Sequence, residues 1–268
     1  MRVSPWQQRI ERAERLARQH SSVAEILRFY AEIARFQEKF YRRLEAAGDR
    51  PYVATSGEQS FGPPESPELI ASFGPFLSLV EKLGPAPLAA LAHDLRQSSG
   101  ESCSELLDAS WSASESSSEL PEEFLACAFL QPYAEFVRSR LAMKSDEHLH
   151  SRCPFCNRKA GLGVLRPQGD GARRSLMCSF CLAEWEFRRI LCPGCGEENN
   201  ANLPVYTASD FDYIRVECCD SCRGYLKAVD LSKNGLAEPM VDEIAAAALD
   251  LWAQKHGYSK LQRNLMGM

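Results

Sequence analysis

The stretch CSFCLAEWEFRRILCPGC, Cys178–Cys195, holds two Cys-x-x-Cys pairs separated by ten residues. Two more pairs lie outward of it: Cys153/Cys156, with 21 residues before Cys178, and Cys219/Cys222, with 23 residues after Cys195. Two long gaps flank a short one, so the array reads as a duplicated unit of pair, hairpin and pair. CPFCNRKAGLGVL (Cys153–Leu165) parallels CPGCGEENNANLPVY (Cys192–Tyr206). LMCSFCLAEWEF (Leu176–Phe187) parallels ECCDSCRGYLKAV (Glu217–Val229), each with strand-like flanks.

One such pair supplies two sulfurs from a tight turn, and two turns on facing hairpins complete a tetrahedral four-sulfur site. The spacing therefore marks Cys153, Cys156, Cys178, Cys181, Cys192, Cys195, Cys219 and Cys222 as metal ligands. Sequential pairing gives two rubredoxin-like or zinc-ribbon modules in series, whereas interleaved pairing gives a cross-brace. The repeated knuckles favour the first. The residue after each second cysteine is expected at positive φ, which lets amide N–H groups point at sulfur. Gly196 and Asn157 suit that position. Leu182 and Arg223 do not, which predicts a different turn at the second and fourth knuckles. Cys219 keeps the two-residue spacing to Cys222, which leaves Cys218 as a spare thiol expected to be reactive. A closed shell of four cysteines has no corner for a substrate, so a structural metal is favoured over a catalytic one.

The surrounding chain bounds the alternatives. Its 268 residues carry 45% hydrophobic side chains, enough for two domains with a buried core. No apolar run is long enough to span a bilayer, and MRVSPWQQRIERAERLARQ lacks an apolar signal-peptide core. A soluble, cytoplasmic protein is expected, in which eleven cysteines favour metal over disulfides. Thioredoxin-type chemistry needs its cysteine pair at a helix start, and none of the four pairs opens a helical pattern. The formal charge is −5. Residues 151–230 are nearly balanced, and eight thiolates with two divalent ions add about −4. That balance argues against nucleic acid as partner, since phosphate binding needs a basic face. A zinc-ribbon nucleic-acid-binding or transcription-related protein stands as the alternative reading. The Arg166, Arg173, Arg174 and Arg188, Arg189 clusters are its only footing, and they are expected to balance the thiolates instead. No phosphate-cradling glycine loop, nucleophile elbow or zinc-protease motif occurs.

The fold class expected is α+β, a helical N-terminal domain followed by two tandem rubredoxin-like or zinc-ribbon metal modules and a C-terminal helix. The domains expected are 1–146 (helical), 147–190 and 191–232 (the two modules) and 233–268 (helix and tail). Val23, Ile26, Leu27, Tyr30, Ile33, Phe40 and Leu44 recur at mostly three- and four-residue steps, one face of an amphipathic helix from Ser22 to Gly48. Arg50–Glu68 reads as loop, 68–84 and 86–97 as short helices, and the second half of the serine-heavy 98–123 as surface loop. A helix starting near Pro121 should be kinked or split by Pro132. Glu238–Tyr258 reads as one final helix stopped by Gly257. Cys103 and Cys127 are expected as small buried hydrophobes, and His148 and His150 as linker.

The ordered set CPFC, CSFCLAEWEFRRILCPGC and YIRVECCDSCRGYLKAVDL (Tyr213–Leu231), with FLACAFLQPYAE (Phe124–Glu135) and LDLWAQKHGY (Leu249–Tyr258), resembles the FdhE family of formate dehydrogenase accessory proteins. Specificity is concentrated in Cys153–Leu231, including Glu184-Trp185, Arg188 and Tyr225-Leu226-Lys227. Segment 97–119 departs from the family pattern. The resemblance implies a cytoplasmic, non-catalytic assembly factor. Its partner would be the catalytic subunit of a respiratory formate dehydrogenase, a molybdenum or tungsten enzyme, before twin-arginine export. It also implies two rubredoxin-like sites associated with iron, and the eight paired cysteines match the family's ligands by position. Two metal ions, iron or zinc, are expected. Iron could also sense redox state, which zinc cannot. A homodimer is an allowed assembly.

Overall fold

The computed structural model describes residues 4–47, 67–113, 121–141 and 151–268. Gly48, the expected stop of the long amphipathic helix, residues 50–66 of the expected loop, 114–120 of the serine-rich stretch, and His148 and His150 lie outside them. The chain divides into two compact units, Glu32–Met143 and a discontinuous one made of Met1–Ala31 and Lys144–Met268. Helices α1 (Pro5–Gln19), α2 (Ala24–Ala47), α3 (Pro67–Leu83), α4 (Ala86–Gln97), α5 (Gly100–Ser112) and α6 (Pro121–Arg140) come first.

The helical unit is built around phenylalanines. Phe129 of α6 stacks on Phe40 at 5.2 Å and meets Phe73 of α3 at 4.9 Å. These rings supply the apolar burial that drives folding. Pro132 does not split α6, which runs unbroken from Pro121 to Arg140. Proline lacks the N–H that would bond the Ala128 carbonyl, and buried Gln37 replaces it by donating Nε2 to that oxygen at 2.6 Å. Gln37→Leu should therefore cost about 1–3 kcal/mol, the penalty for a buried carbonyl left without a donor. Pro132→Ala in the same chain restores the N–H and should recover much of it. Urea unfolding of the single and double variants checks this, and equal losses in both would refute the pairing.

The other unit carries one seven-stranded sheet. Its strands are β1 (Leu162–Gln168), β2 (Gly171–Met177), β3 (Glu184–Glu186), β4 (Val205–Ala208), β5 (Phe211–Cys218), β6 (Gly224–Asp230) and β7 (Ser259–Lys260). The spatial order is β3-β2-β1-β6-β5-β4, with β7 beside β6. Each half is an antiparallel three-strand meander, and the halves join where β1 runs parallel to β6. That seam is close: a Cβ on Gly163 would stand 2.9 Å from the Ala228 Cβ.

Glu238–Tyr258, expected as a single helix, is two: α7 (Pro239–Ala245) and α8 (Ala247–Lys255). Ala246 breaks the run with ψ of 33°. The buried Lys227 ammonium of β6 occupies the break, donating to the carbonyls of Glu243 at 2.5 Å and Ala246 at 3.2 Å. The expected stop at Gly257 holds. Its φ is +79°, Gly257 N–H reaches the Gln254 carbonyl and Tyr258 N–H the Ala253 carbonyl, a Schellman ending.

Around Lys227 lies a buried network. Lys227 and Lys260 both contact Glu243 and Asp250, Tyr225 donates to Asp250 at 2.8 Å, and Asn264 donates to Glu243. Burial pushes the Glu243 carboxyl up, but the two ammonium groups and the bonds from Lys260 and Asn264 outweigh it and hold it at about 2. A carboxyl depressed on folding contributes stability above its unfolded value of 4.5, lost as pH falls toward about 2. The gap in unfolding free energy between the unsubstituted chain and Glu243→Gln, on the order of 3 kcal/mol at neutral pH, should close across that acid window. Denaturant titrations at stepped pH measure it, and a pH-independent gap would count against the network.

Candidate metal centre

The eight paired cysteines fall into two groups, Cys153, Cys156, Cys178, Cys181 and Cys192, Cys195, Cys219, Cys222, with the sulfurs of each within 4.8 Å of one another. The pairing is sequential. Cys178 follows β2 directly and Cys219 follows β5, so each hairpin ends in a knuckle that faces the knuckle preceding it.

All four knuckles share one backbone pattern. The N–H of the first cysteine bonds the carbonyl five residues on: Cys153 to Arg158, Cys178 to Ala183, Cys192 to Glu197 and Cys219 to Gly224, at 2.8–2.9 Å. The residue after the second cysteine has positive φ in every case: Asn157 55°, Leu182 55°, Gly196 79° and Arg223 56°. The expected difference at Leu182 and Arg223 is therefore overturned. A left-handed non-glycine costs roughly 1–2 kcal/mol, and side-chain contacts offset it. Leu182 is buried. Arg223 donates to the His256 carbonyl at 2.7 Å and to Asp220 at 2.9 Å, and lies 4.0 Å over the Tyr258 ring. N–H groups do point at sulfur: Phe180 N to Cys178 Sγ at 3.4 Å and Gly194 N to Cys192 Sγ at 3.3 Å.

The sulfur spacing fits a tetrahedral ion. Metal–sulfur bonds of about 2.3 Å imply edges of about 3.8 Å. The second group has 3.8 Å for Cys192–Cys222 and 3.7 Å for Cys195–Cys219; the first has 3.4, 3.5 and 3.7 Å edges. Electrostatics favour a cation in each. In the first group, sulfur–sulfur hydrogen bonds, led by those with Cys153, draw the Cys178 thiol down and push Cys156 and Cys181 up. In the second, burial pushes Cys192 up to about 12 and also raises Cys222. Burial opposes ionisation of Cys219 too, but the N–H of Cys222 and the neighbouring sulfurs outweigh it. Crowded sulfurs cannot all become thiolates alone, and a divalent ion would displace their protons. Four soft donors of this kind suit zinc or iron.

The groups differ in exposure. Three sulfur residues of the first are buried, whereas Cys195 and Cys222 of the second are exposed. Leu261 covers part of the second: a Cβ on Gly194 or Gly224 would stand 2.8 or 2.6 Å from its Cδ2. Glu197 ties the two knuckles of that group, accepting from Ser221 Oγ, Asn199 N–H and Asn202 Nδ2, which hold its carboxyl at about 2. Arg158, buried in the first knuckle's turn, lies 3.8 Å over Phe180 and brings positive charge to the first module.

Cys218 joins neither group. It is buried in β5, and burial pushes its thiol up to about 12, so it stays protonated rather than reactive as expected. Cys103 and Cys127 are half-buried and outside both groups, with Cys103 donating to the Leu95 carbonyl. The arginines expected to balance thiolates meet carboxylates instead: Arg166–Glu184, Arg173–Glu186, Arg174–Glu217 and Arg188–Glu198. Strand order brings the first three pairs together and Arg188–Glu198 joins two residues outside the strands, which leaves Arg189 alone of the five without an ion pair among the described residues.

A helical unit, a fused double meander and two four-cysteine groups in tandem define a two-module, rubredoxin-like fold. The chain is similar to the FdhE family over its cysteine-bearing C-terminal half. Residues 190–266 match the family model described as "FdhE, C-terminal domain". The Protein FdhE homolog of Aquifex aeolicus (strain VF5) is 36% identical over 146 residues, 54% of this chain and 51% of that one. The homolog of Pseudomonas putida (strain KT2440) is 35% identical over 123 residues, 43% of this chain and 38% of that one. These alignments span about half or less of the relatives' own length. The crystal structure of the FdhE protein from Pseudomonas aeruginosa shares the fold across 99% of this chain and 97% of that one, with TM-score 0.72 and 23% identity. No helix among the described residues is long and apolar enough to cross a membrane.

Proposed function

We propose that this chain is a non-catalytic accessory protein that binds the immature catalytic subunit of a respiratory formate dehydrogenase. It assists assembly in the cytoplasm before twin-arginine export. The observation that carries the reading is the closed sulfur shell. Each group supplies all four corners of a tetrahedron from the chain itself, which suits a scaffold or electron-accepting site and leaves no corner for a substrate. The eight cysteines would ligate two metal ions, iron or zinc. Iron would add redox sensing, because it can change oxidation state without changing ligands. Similarity to the FdhE homologs supports the choice of partner.

The test is affinity capture from cells with and without the catalytic subunit, with elemental analysis and absorption spectra on protein purified without oxygen. Selective recovery of the subunit, with two metals per chain, is expected. Equal recovery of partners from both cells would overturn the accessory reading. Two irons with ferric-thiolate colour after oxidation would favour the sensor, and two zincs in a colourless protein would favour a docking scaffold.

A further inference from the structure

The two free edges of the sheet are unlike. β3 at one end is three residues long and carries Glu184 and Glu186, the charged protection typical of an edge. β4 at the other end reads Val-Tyr-Thr-Ala, exposed and uncharged. The β4–β5 register pairs Tyr206 with Val216, and Cys218 N–H bonds the Pro204 carbonyl. Alternation along an antiparallel ladder then turns the N–H and C=O of Val205 and Thr207 outward, away from β5. The module repeat says what such an edge does. β4 stands in the second meander where β1 stands in the first, and the corresponding edge of β1 is already filled by a parallel strand, β6.

The surroundings select the chemistry. Val205 lines a cleft of about 180 Å³ beside the second cysteine group, with Ile190 and Arg189 at its wall. Val205 is 53% and Ile190 48% exposed, large values for aliphatic side chains. Arg174 and Arg215 in the same cleft are held by Glu217 and Asp230. Arg189 is exposed and has no ion pair or hydrogen bond among the described residues. On the other face of β4, Tyr206 packs against Trp252 of α8 at 4.6 Å.

We infer that the outer edge of β4 takes, as an added parallel strand, an extended segment of a partner protein whose one face carries aliphatic and acidic side chains in turn, at every second residue. Main-chain bonds to Val205 and Thr207 supply the pairing, the Val205–Ile190 surface takes the aliphatic side chains, and Arg189 takes a carboxylate. The inference deepens the accessory role proposed above and rests on it for the identity of the partner. The capacity of the edge to accept a strand does not depend on it.

The test uses the full metal-loaded chain and two terminally blocked peptides, one repeating valine-threonine-glutamate-threonine and one repeating valine-threonine-lysine-threonine, read by fluorescence anisotropy. The acidic peptide should bind at least about tenfold more tightly than the basic one. Thr207→Pro removes an outward N–H that the ladder to β5 does not use, so the fold should persist while acidic-peptide affinity falls about tenfold or more. Arg189→Glu should reverse the charge preference, and Thr207→Val, which keeps the N–H, should bind normally. Circular dichroism and metal content control for folding. Absent or charge-blind binding, or Thr207→Pro and Arg189→Glu chains that bind like the unsubstituted one, overturns the inference. So does a dimer in sedimentation that Thr207→Pro abolishes, since a second copy would then own the edge. Failure of the two readings is separable. Peptide binding without capture of the catalytic subunit would remove the accessory role alone, and undiminished capture by Thr207→Pro would remove the strand site alone.

Discussion

Replacing Cys178 with serine should take the chain from two bound metals to one and unfold the first meander. Cys178 is fully buried, and its sulfur lies 3.5 Å from that of Cys156. No solvent molecule has ready access to the vacated corner. Binding energies of structural tetrathiolate sites are on the order of 10–16 kcal/mol and count as folding energy, so little of this module should survive. Cys195→Ser should be milder. Cys195 is exposed, so water can fill the missing corner and a metal can stay on more weakly. Elemental analysis, far-ultraviolet circular dichroism and chelator competition on both variants check the contrast. A Cys178→Ser chain that keeps two metals and a native spectrum would refute it, and so would a second site that resists chelator longer than the first.

Asp242→Ala should be the most damaging substitution away from the cysteines. Asp242 is fully buried and accepts both Nε and Nη2 of Arg12, the first at 2.9 Å, and Tyr213 donates to it at 2.6 Å. It also accepts the Glu238 N–H at 2.7 Å, which orders the start of α7. Removing it strands the Arg12 guanidinium inside the protein, a loss of about 3–5 kcal/mol. In a unit of this size each kcal/mol lowers the melting temperature by about 2–4 °C. Arg12→Met with Asp242→Leu should melt above Asp242→Ala, because replacing both partners leaves no unpaired charge. Thermal melts of the three chains decide it, and an unchanged midpoint for Asp242→Ala would remove the pair from the stabilising contacts.

The cysteine groups were legible because ligand spacing is local: two residues set each turn, and hairpin length sets which turns meet. The choice of Cys219 over Cys218 followed from the same rule. Features made by distant residues were not legible. Leu182 and Arg223 adopt a conformation their type disfavours because burial, and in the second case His256, Asp220 and Tyr258, compensate. The break at Ala246 depends on Lys227, a residue of another element that arrives through strand β6. Pro132 fails to split α6 because Gln37 supplies a donor 91 residues away in sequence, between buried groups. The pairing of Arg166 with Glu184 and Arg174 with Glu217 depends on strand order in the sheet, which composition cannot supply. By contrast, α1 and α5 had local signals that the stronger periodicity of α2 overshadowed. Ser4 accepts from the Gln7 N–H at 3.0 Å with Pro5 next to it, and Ser99 accepts from Ser102 N–H at 3.2 Å.

The discontinuity of the sheet unit has a consequence for the order in which a ribosome delivers the parts. Residues 32–143 form one uninterrupted unit and can settle as soon as they emerge. Arg12 must wait for Asp242, 230 residues later, before its charge is neutralised. Leu261 reaches the second cysteine group only after every ligand has been synthesised. The first group can be loaded before the second is complete, whereas the second acquires its cover only once residue 261 has emerged. A nascent chain stalled before residue 242 would therefore expose an unpaired helix and an uncapped thiol cluster, a natural target for holding chaperones and for oxidants.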